Sequence, residues 1–254
     1  MTLRIDSLSL RFGGVKAVDE VSFEVKEGEI VALIGPNGAG KTSLINCIAG
    51  FYTPDGGSVE WRGNRITGSP PHDILRLGIG RTFQNVALLR DLKVFDVVKL
   101  GSGRSGTIHP LFSLMGLPSA RRFERARENE LGEQVLRPLG LMEHADQPIQ
   151  TLSYGMRKVV DLARAMASSP SMLLLDEPVA GMSSTEARTM AEVIRWVRRE
   201  RRCGVLMVEH KMDTVMGISD RIVVMAAGCK IFEGSPAEVQ AHPEVRRIYL
   251  GNVR

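Results

Sequence analysis

The sequence predicts an α/β protein with a largely parallel sheet, an antiparallel β subdomain and a helical subdomain. The N-terminal stretch alternates apolar and polar residues, as antiparallel strands with one solvated face do. Later, short continuous apolar runs alternate with helical patterns, as buried parallel strands and their connecting helices do. A charged stretch with few strand formers, from about residue 95 to 150, interrupts this alternation and predicts the helical part.

Length and composition limit the class of protein. The chain has 254 residues, of which 43% are hydrophobic and 24% charged, which is ordinary for a soluble globular protein. Its longest apolar runs have strand length and fall far short of the roughly 20 residues of a membrane-spanning helix. The N-terminus lacks the apolar segment of a signal peptide. We therefore do not expect a transmembrane, secreted or disordered protein.

Net charge and aromatic content limit the possible binding partners only slightly, and the cysteines indicate no disulfide or metal site. A net charge of +4 suits a nucleotide, a nucleic acid or an anionic membrane surface. Aromatic residues make up only 5%, which argues against a surface that stacks nucleic-acid bases. The three cysteines (Cys47, Cys203 and Cys229) are widely spaced and match neither a disulfide framework nor a metal site. We expect them to be small core residues in a reducing compartment.

The first half of the chain predicts its elements in the following order. Alternation over the first 25 residues predicts two antiparallel strands. The apolar run 29–35 predicts a buried strand, which leads into a helix from Lys41 to Ala49. Residues 55–66 contain turn-forming residues between short β segments, which predicts a hairpin. The charged segment 119–139 predicts helix within the helical part.

The second half returns to the α/β pattern. After Ser153, apolar residues recur at helical spacing and predict an amphipathic helix. The remaining predicted elements are strands at 171–178 and 204–210, helices at Ser184–Arg201 and Met212–Ile218, strands at 221–228 and 230–234, and a short helical tail.

A glycine-rich segment after the buried strand has the spacing of a phosphate-binding loop. GPNGAGKTS, residues 35–43, fits G-x-x-x-x-G-K-[ST]. Gly35 and Gly40 allow backbone N–H groups to curl around phosphates. Lys41 would reach the β and γ phosphates, and the Thr42 hydroxyl would bind Mg²⁺. A chance match in a glycine-rich turn is the alternative, but the strand before the motif and the helix after it are the required context. The predicted nucleotide-binding residues of the loop are Gly35, Pro36, Asn37, Gly38, Ala39, Gly40, Lys41, Thr42 and Ser43.

Two adjacent carboxylates end the apolar strand of SMLLLDEP. Asp176 could hold Mg²⁺ through water, and Glu177 could polarise an attacking water. Two surface acids that cap the next helix are the alternative. The phosphate-binding loop upstream favours the functional interpretation, because α/β sheets bind ligands at the carboxyl ends of their strands.

A phosphate-binding loop and an acidic strand end also occur in kinases, GTPases and helicases. LSYGM, residues 152–156, resembles the signature motif of ABC ATPases. The resemblance then extends along the whole chain. Gln84 in RTFQN resembles the Q-loop, and VAGMS at 179–183 lies where the D-loop should be. His210 in VEH resembles the switch histidine, and Phe12 in RFGG the aromatic residue of the A-loop. The chain is thus identified as similar to the ABC ATPases.

The resemblance implies a role for each matching residue. Hydrolysis of ATP is the implied activity, with ATP and Mg²⁺ as the ligands. The implied catalytic residues are Glu177, His210, Lys41 and Gln84. The implied magnesium site comprises Thr42, Gln84 and Asp176. Phe12 would stack on adenine through its face. The resemblance further implies one ABC ATPase domain over residues 1–254, with the nucleotide-binding core and β subdomain at 1–94 and 151–254 and the helical subdomain at about 95–150.

The signature segment implies a second subunit. Ser153 would cap the following helix and Gly155 would leave its start open, so that this helix N-terminus attracts a phosphate. In the family, this segment faces the ATP of a second ATPase subunit, and two ATP are sandwiched head to tail. The residues concerned are Leu152, Ser153, Tyr154, Gly155 and Met156. Two positions depart from the family: Met156 replaces the usual Gln, and Ser183 stands where Asn or Asp is more common.

Details of the chain resemble the ATPases of branched-chain amino-acid uptake systems. These are GIGRTFQN at 78–85, LFSLMGLPSARR at 111–122, DEPVAGM at 176–182 and HPEVRRIYLG at 242–251. The resemblance implies a peripheral subunit at the cytoplasmic face of the cell (inner) membrane. Its implied partners are a second ABC ATPase, identical or different, two permease subunits and an extracytoplasmic substrate-binding protein, with no nucleic acid. Importers of urea or short-chain amides, and soluble ABC ATPases outside transport, remain alternatives.

The segment after Gln84, residues 85–98, is unusually apolar for a loop. Its apolar residues could pack under the helical part. Alternatively, they could form an exposed patch that receives a partner. In the resembled family, a groove here receives a short helix of the permease.

Overall fold

The computed structural model describes residues 1–82, 91–102 and 118–250. Gln84 and residues 85–90 of the apolar segment 85–98 therefore lie outside the described residues. In chain order the strands and α-helices are β1 (Thr2–Phe12), β2 (Val15–Lys26), β3 (Ile30–Ile34), α1 (Lys41–Ile48), β4 (Gly56–Trp61), β5 (Asn64–Arg65), α2 (Pro71–Arg76), β6 (Ile79–Arg81), α3 (Val94–Leu100), α4 (Pro118–Leu131), α5 (Tyr154–Met166), β7 (Met172–Asp176), α6 (Ser184–Arg201), β8 (Gly204–Val208), α7 (Met212–Ile218), β9 (Arg221–Ala226), β10 (Cys229–Gly234), α8 (Pro236–Ala241) and α9 (Pro243–Leu250). Among these residues, no helix is long and apolar enough to cross a membrane.

The chain divides into two compact units. The first comprises Met1–Arg81 and Ser171–Arg254, and the second comprises Thr82–Pro170. The division at about residues 95 and 150 into a nucleotide-binding core and a helical subdomain stays a prediction.

An antiparallel sheet forms part of the first unit. Its strand order is β2-β1-β4-β5, and β1 pairs with both β2 and β4. Leu3 and Ile5 are buried, whereas Arg4 between them and Asp6 after Ile5 are exposed. This alternation is the one that the sequence predicts, because the side chains of a strand point to opposite faces in turn.

A six-stranded sheet in the same unit positions the site. Its order is β10-β9-β3-β8-β7-β6, and all neighbours are parallel except the β9–β10 pair at one edge. Every residue of β3, β7 and β8 is buried. Because these three neighbouring strands are parallel, their carboxyl ends meet at one edge. The glycine-rich loop, the acidic pair and His210 therefore begin side by side.

The described residues of the second unit form mostly helices. Helix α4 continues into a π-helical turn at Gly132–Leu136. Gly101, at the end of α3, lies so close to α5 that an added Cβ would be 1.9 Å from the carbonyl oxygen of Arg164. Asp161, which is 2% exposed, is neutralised by Arg164 on the same helix, with an N–O distance of 2.7 Å.

The cysteine prediction is correct for two positions and wrong for one. Cys47 and Cys203 are buried, and burial raises the pKa of each thiol to about 12. They are therefore inert core residues. Cys229 is exposed, because it begins the edge strand β10.

Candidate nucleotide-binding and catalytic site

The glycine-rich loop closes tightly on the sheet. A Cβ on Gly35 would lie 2.2 Å from the carbonyl oxygen of Met225, and one on Gly40 would lie 2.0 Å from that of Ala17. Gly40 also has a φ of +94°, which other residues rarely adopt. By contrast, Gly38 at the crest has no atom within 4 Å of the position of an added Cβ. The loop thus rests on close backbone contacts and leaves its crest open to a ligand.

Lys41 begins α1 and turns back into this loop. Its side chain is buried, and Nζ donates hydrogen bonds to the carbonyl oxygens of Gly35 at 2.8 Å and Pro36 at 2.9 Å. Burial lowers the pKa of the Lys41 ammonium, and the carboxylates of Glu177 and Asp176 oppose this lowering. The loop therefore holds a positive charge beside two negative charges at the strand ends.

Asp176 ends β7 in a buried ion pair. Its carboxylate is 2% exposed and lies 3.6 Å from the guanidinium of Arg81, which ends the neighbouring strand β6. Burial lowers the pKa of Arg81, and Asp176 opposes the lowering. The guanidinium also lies over the ring of Phe51, 5.0 Å from its centroid. Arg81 is a member of the site that sequence reasoning missed.

We expect Arg81→Leu to destabilise the protein, since it removes the guanidinium that pairs with the buried Asp176 carboxylate. Breaking a buried ion pair costs about 3–5 kcal/mol of unfolding free energy. Arg76→Leu is a matched control, because Arg76 pairs with Asp73 at the surface, where such pairs contribute less than about 1 kcal/mol. Urea unfolding checks both variants. Equal urea midpoints for Arg81→Leu and the wild type would show that the ion pair between Arg81 and Asp176 does not stabilise the fold.

Glu177 and His210 face each other from neighbouring strand ends. The distance from Glu177 Oε1 to His210 Nε2 is 3.3 Å, and both side chains are partly exposed. Glu177 has a left-handed backbone with a φ of +51°, and its N–H donates to the carbonyl oxygen of Val208 at 3.0 Å. Non-glycine residues in this conformation cluster at functional sites. This turn brings Glu177 to the edge of the sheet beside His210.

Phe12 lies at the end of β1 and is 49% exposed. Its ring meets that of Tyr52 edge to face, with centroids 5.3 Å apart. An edge-to-face pair holds the ring in one orientation and covers at most one of its two faces. Phe12 is thus an exposed ring of the kind that stacking on a base requires.

The signature segment lies in the second unit. Ser153 is the N-cap of α5, and its hydroxyl accepts a hydrogen bond from the backbone N–H of Met156 at 3.2 Å. This is the capping role that the sequence predicts. Tyr154 is 50% exposed, and Gly155 is buried in the first turn of α5.

Ser183 caps a different helix. Its hydroxyl accepts from the N–H of Glu186, while the Glu186 carboxylate accepts from the N–H of Ser183 at 3.0 Å, a reciprocal capping box at the start of α6. The serine at this departure from the family pattern therefore has a local structural role.

Comparison with protein families identifies the class. The ABC transporter family matches residues 18–180. A second family, described as branched-chain amino acid ATP-binding cassette transporter, matches residues 229–253.

Curated relatives match nearly the whole chain. LivG of Salmonella typhimurium, a high-affinity branched-chain amino acid transport ATP-binding protein, is 41% identical over 251 residues, which cover 98% of this chain and 97% of LivG. BraF of Pseudomonas aeruginosa, described in the same words, is 39% identical over 249 residues with the same coverage. A probable LivG of Archaeoglobus fulgidus is 37% identical over 254 residues, with 98% and 95% covered.

Solved structures agree with the fold. A nucleotide-free ATP-binding cassette from an ABC transporter has a TM-score of 0.86 and 32% identity, with 99% of this chain and 100% of that chain covered. Another ABC transporter cassette, in its ADP conformation, has a TM-score of 0.85 and 31% identity with the same coverage. The chain therefore belongs to the ABC transporter family, among the ATP-binding subunits that include the branched-chain amino acid cassettes.

Proposed function

We propose that this chain binds and hydrolyses ATP to power the uptake of branched-chain or other hydrophobic amino acids. The observation that carries the proposal is the meeting of Lys41, Asp176, Glu177 and His210 at the carboxyl edge of β3, β7 and β8. This arrangement supports phosphoryl transfer to water, because it puts a cation and a candidate base beside a phosphate-binding loop. The names of the relatives support the transport role.

In the proposed reaction, Lys41 exchanges its bonds to the loop carbonyls for the β and γ phosphates of ATP. Backbone N–H groups of residues 35–43 and the start of α1 bind the same phosphates. Glu177 accepts a proton from water as the water oxygen bonds to the γ-phosphorus. The bond from that phosphorus to the bridging oxygen breaks, giving ADP and phosphate. His210 contacts Glu177 and the transferring group, and Phe12 stacks on the base.

The residues present fit a magnesium ion. Thr42 is exposed at the start of α1 and offers a hydroxyl, and Asp176 offers a carboxylate oxygen; both are ligand types that Mg²⁺ prefers. Gln84, which lies outside the described residues, is the third proposed ligand. Among the described residues, no cluster of three or more His, Cys, Asp or Glu could hold a metal, so phosphates and water would complete the shell. When bound, the ion neutralises charge that develops on the phosphates.

The signature segment supports a paired arrangement. Ser153 caps α5 and Gly155 leaves its first turn without a side chain, so the start of this helix can face an anion. We propose that Leu152, Ser153, Tyr154, Gly155 and Met156 contact the ATP bound by a second cassette, identical or different. The other proposed partners are two permease subunits and an extracytoplasmic substrate-binding protein. The cassette would lie at the cytoplasmic face of the membrane.

Uptake by cells tests the substrate class. Cells that lack this chain should lose most high-affinity uptake of radiolabelled leucine, and restoring the wild-type chain should return it, whereas a Lys41→Ala chain should not. Uptake of urea and acetamide serves as the comparison. Loss of urea or amide uptake with normal leucine uptake would overturn the amino-acid assignment. Capture of ribosomes in place of permeases by a tagged chain would overturn the transport role.

A further inference from the structure

Glu209, which follows β8, has no role in the mechanism above, yet its carboxylate is surrounded by donors. The residue is 1% exposed. Its Oε1 accepts the backbone N–H of Val179 at 3.0 Å. Its Oε2 accepts the N–H groups of His210 at 2.7 Å and Lys211 at 3.0 Å. Three charge-assisted hydrogen bonds offset the cost of burying this side chain. One carboxylate thereby joins the turn after β7, which contains Val179, to the turn after β8, which contains His210 and Lys211.

Lys211 also joins these two turns, but its side chain donates a hydrogen bond, whereas that of Glu209 accepts them. Its Nζ donates to the carbonyl oxygen of Met182 at 2.5 Å. The segment 179–183 is thus bound to the turn after β8 at two points, Val179 and Met182. We call the side chains of Glu209 and Lys211 the brace.

We propose that Glu209 is a positioning residue that holds Glu177 and His210 in register. Val179 is two residues beyond Glu177, and His210 directly follows Glu209, so the carboxylate fixes the backbone on both sides of the 3.3 Å contact between Glu177 and His210. Because segment 179–183 is tied to the same carboxylate, a displacement of that segment is transmitted to His210. The inference rests on the proposed hydrolytic function.

Glu209→Gln tests the brace with little change in volume. An amide has one oxygen, so it can accept from Val179 or from the pair His210 and Lys211, but not from both sides. Its NH₂ group would face an N–H donor on the other side. We expect the kcat for ATP hydrolysis to fall about 10- to 100-fold, since a small misplacement of catalytic groups costs that much. KM and the ATP dissociation constant should stay within about threefold of the wild type, because the phosphate-binding loop is untouched.

Glu238→Gln is the matched control. The Glu238 carboxylate also accepts a backbone N–H, that of Ser235 at 2.7 Å, in an exposed capping box at α8. Its loss should leave kcat unchanged. Lys211→Met is a second test, which removes only the Nζ contact. It should also lower kcat, but by a smaller factor than Glu209→Gln does.

A double-mutant cycle separates positioning from a general structural effect. If Glu209 acts through His210, the double variant with Glu209→Gln and His210→Ala should turn over within about twofold of His210→Ala alone. Losses that multiply would overturn the proposal, as would a normal kcat in Glu209→Gln or an equal fall in ATP affinity. A wild-type chain that hydrolyses no ATP, in isolation or with its partners, would overturn the proposed function and this inference with it.

Discussion

Replacing Glu177 by Gln should almost abolish ATP hydrolysis while leaving ATP bound. The amide keeps the size of the side chain and its place beside His210, but it cannot take a proton from water. Loss of a general base lowers turnover by about 10²- to 10⁴-fold. Phosphate release measures the turnover, and equilibrium binding of ATP measures the affinity, which should not fall. Because the reaction stops before cleavage, the paired cassettes should accumulate with ATP and elute earlier on size exclusion.

Glu192→Gln is the control for this change. Glu192 lies on the exposed side of α6, where it pairs with Arg195, so its loss should leave hydrolysis unchanged. Turnover at the wild-type rate in Glu177→Gln would remove Glu177 from the catalytic role and leave His210 without its proposed partner in the reaction.

Replacing Lys41 by Ala should greatly weaken ATP binding. The variant removes the ammonium, which the loop holds at its base by bonds to the carbonyl oxygens of Gly35 and Pro36. Truncating one partner of a buried charge pair costs at least about 2 kcal/mol, or about 30-fold in dissociation constant. Calorimetric titration with ATP measures this change, and hydrolysis should fall with it.

Lys26→Ala controls for the loss of a positive charge, because Lys26 is exposed and pairs with Glu24 at the surface. It should bind ATP as the wild type does. An unchanged ATP titration in Lys41→Ala would contradict the assignment of the phosphate-binding loop.

Sequence reasoning predicted those parts of the fold whose cause is local. Helix α6 spans Ser184–Arg201, as the sequence predicts. The prediction is correct because the apolar periodicity of a helix and the signals at its ends depend on residues close in sequence. The buried strands before the glycine-rich loop and the acidic pair were predicted for the same reason. The capping role of Ser153 depends only on residues three positions apart, and it too was correct.

The missed features depend on tertiary contacts. Strand β6 has only three residues, too few for a periodic pattern, and it forms by pairing with β7. Arg81 therefore gave no signal of its ion pair with Asp176. Glu209 matches no motif in the sequence, although a charged residue at the end of an apolar strand is a usable signal. What it binds could not be predicted, because Val179 lies 30 positions away in sequence.

ATP-driven uptake of leucine into proteoliposomes tests the central claim most directly. The vesicles would contain the purified transporter assembled with this chain, with ATP and Mg²⁺ on the side of the cassettes and binding protein with labelled leucine on the other. We expect leucine to accumulate with the wild-type chain, and no accumulation when Glu177→Gln replaces it in the same assembly. Equal accumulation with both chains, or none with the wild type despite ATP hydrolysis, would contradict the account.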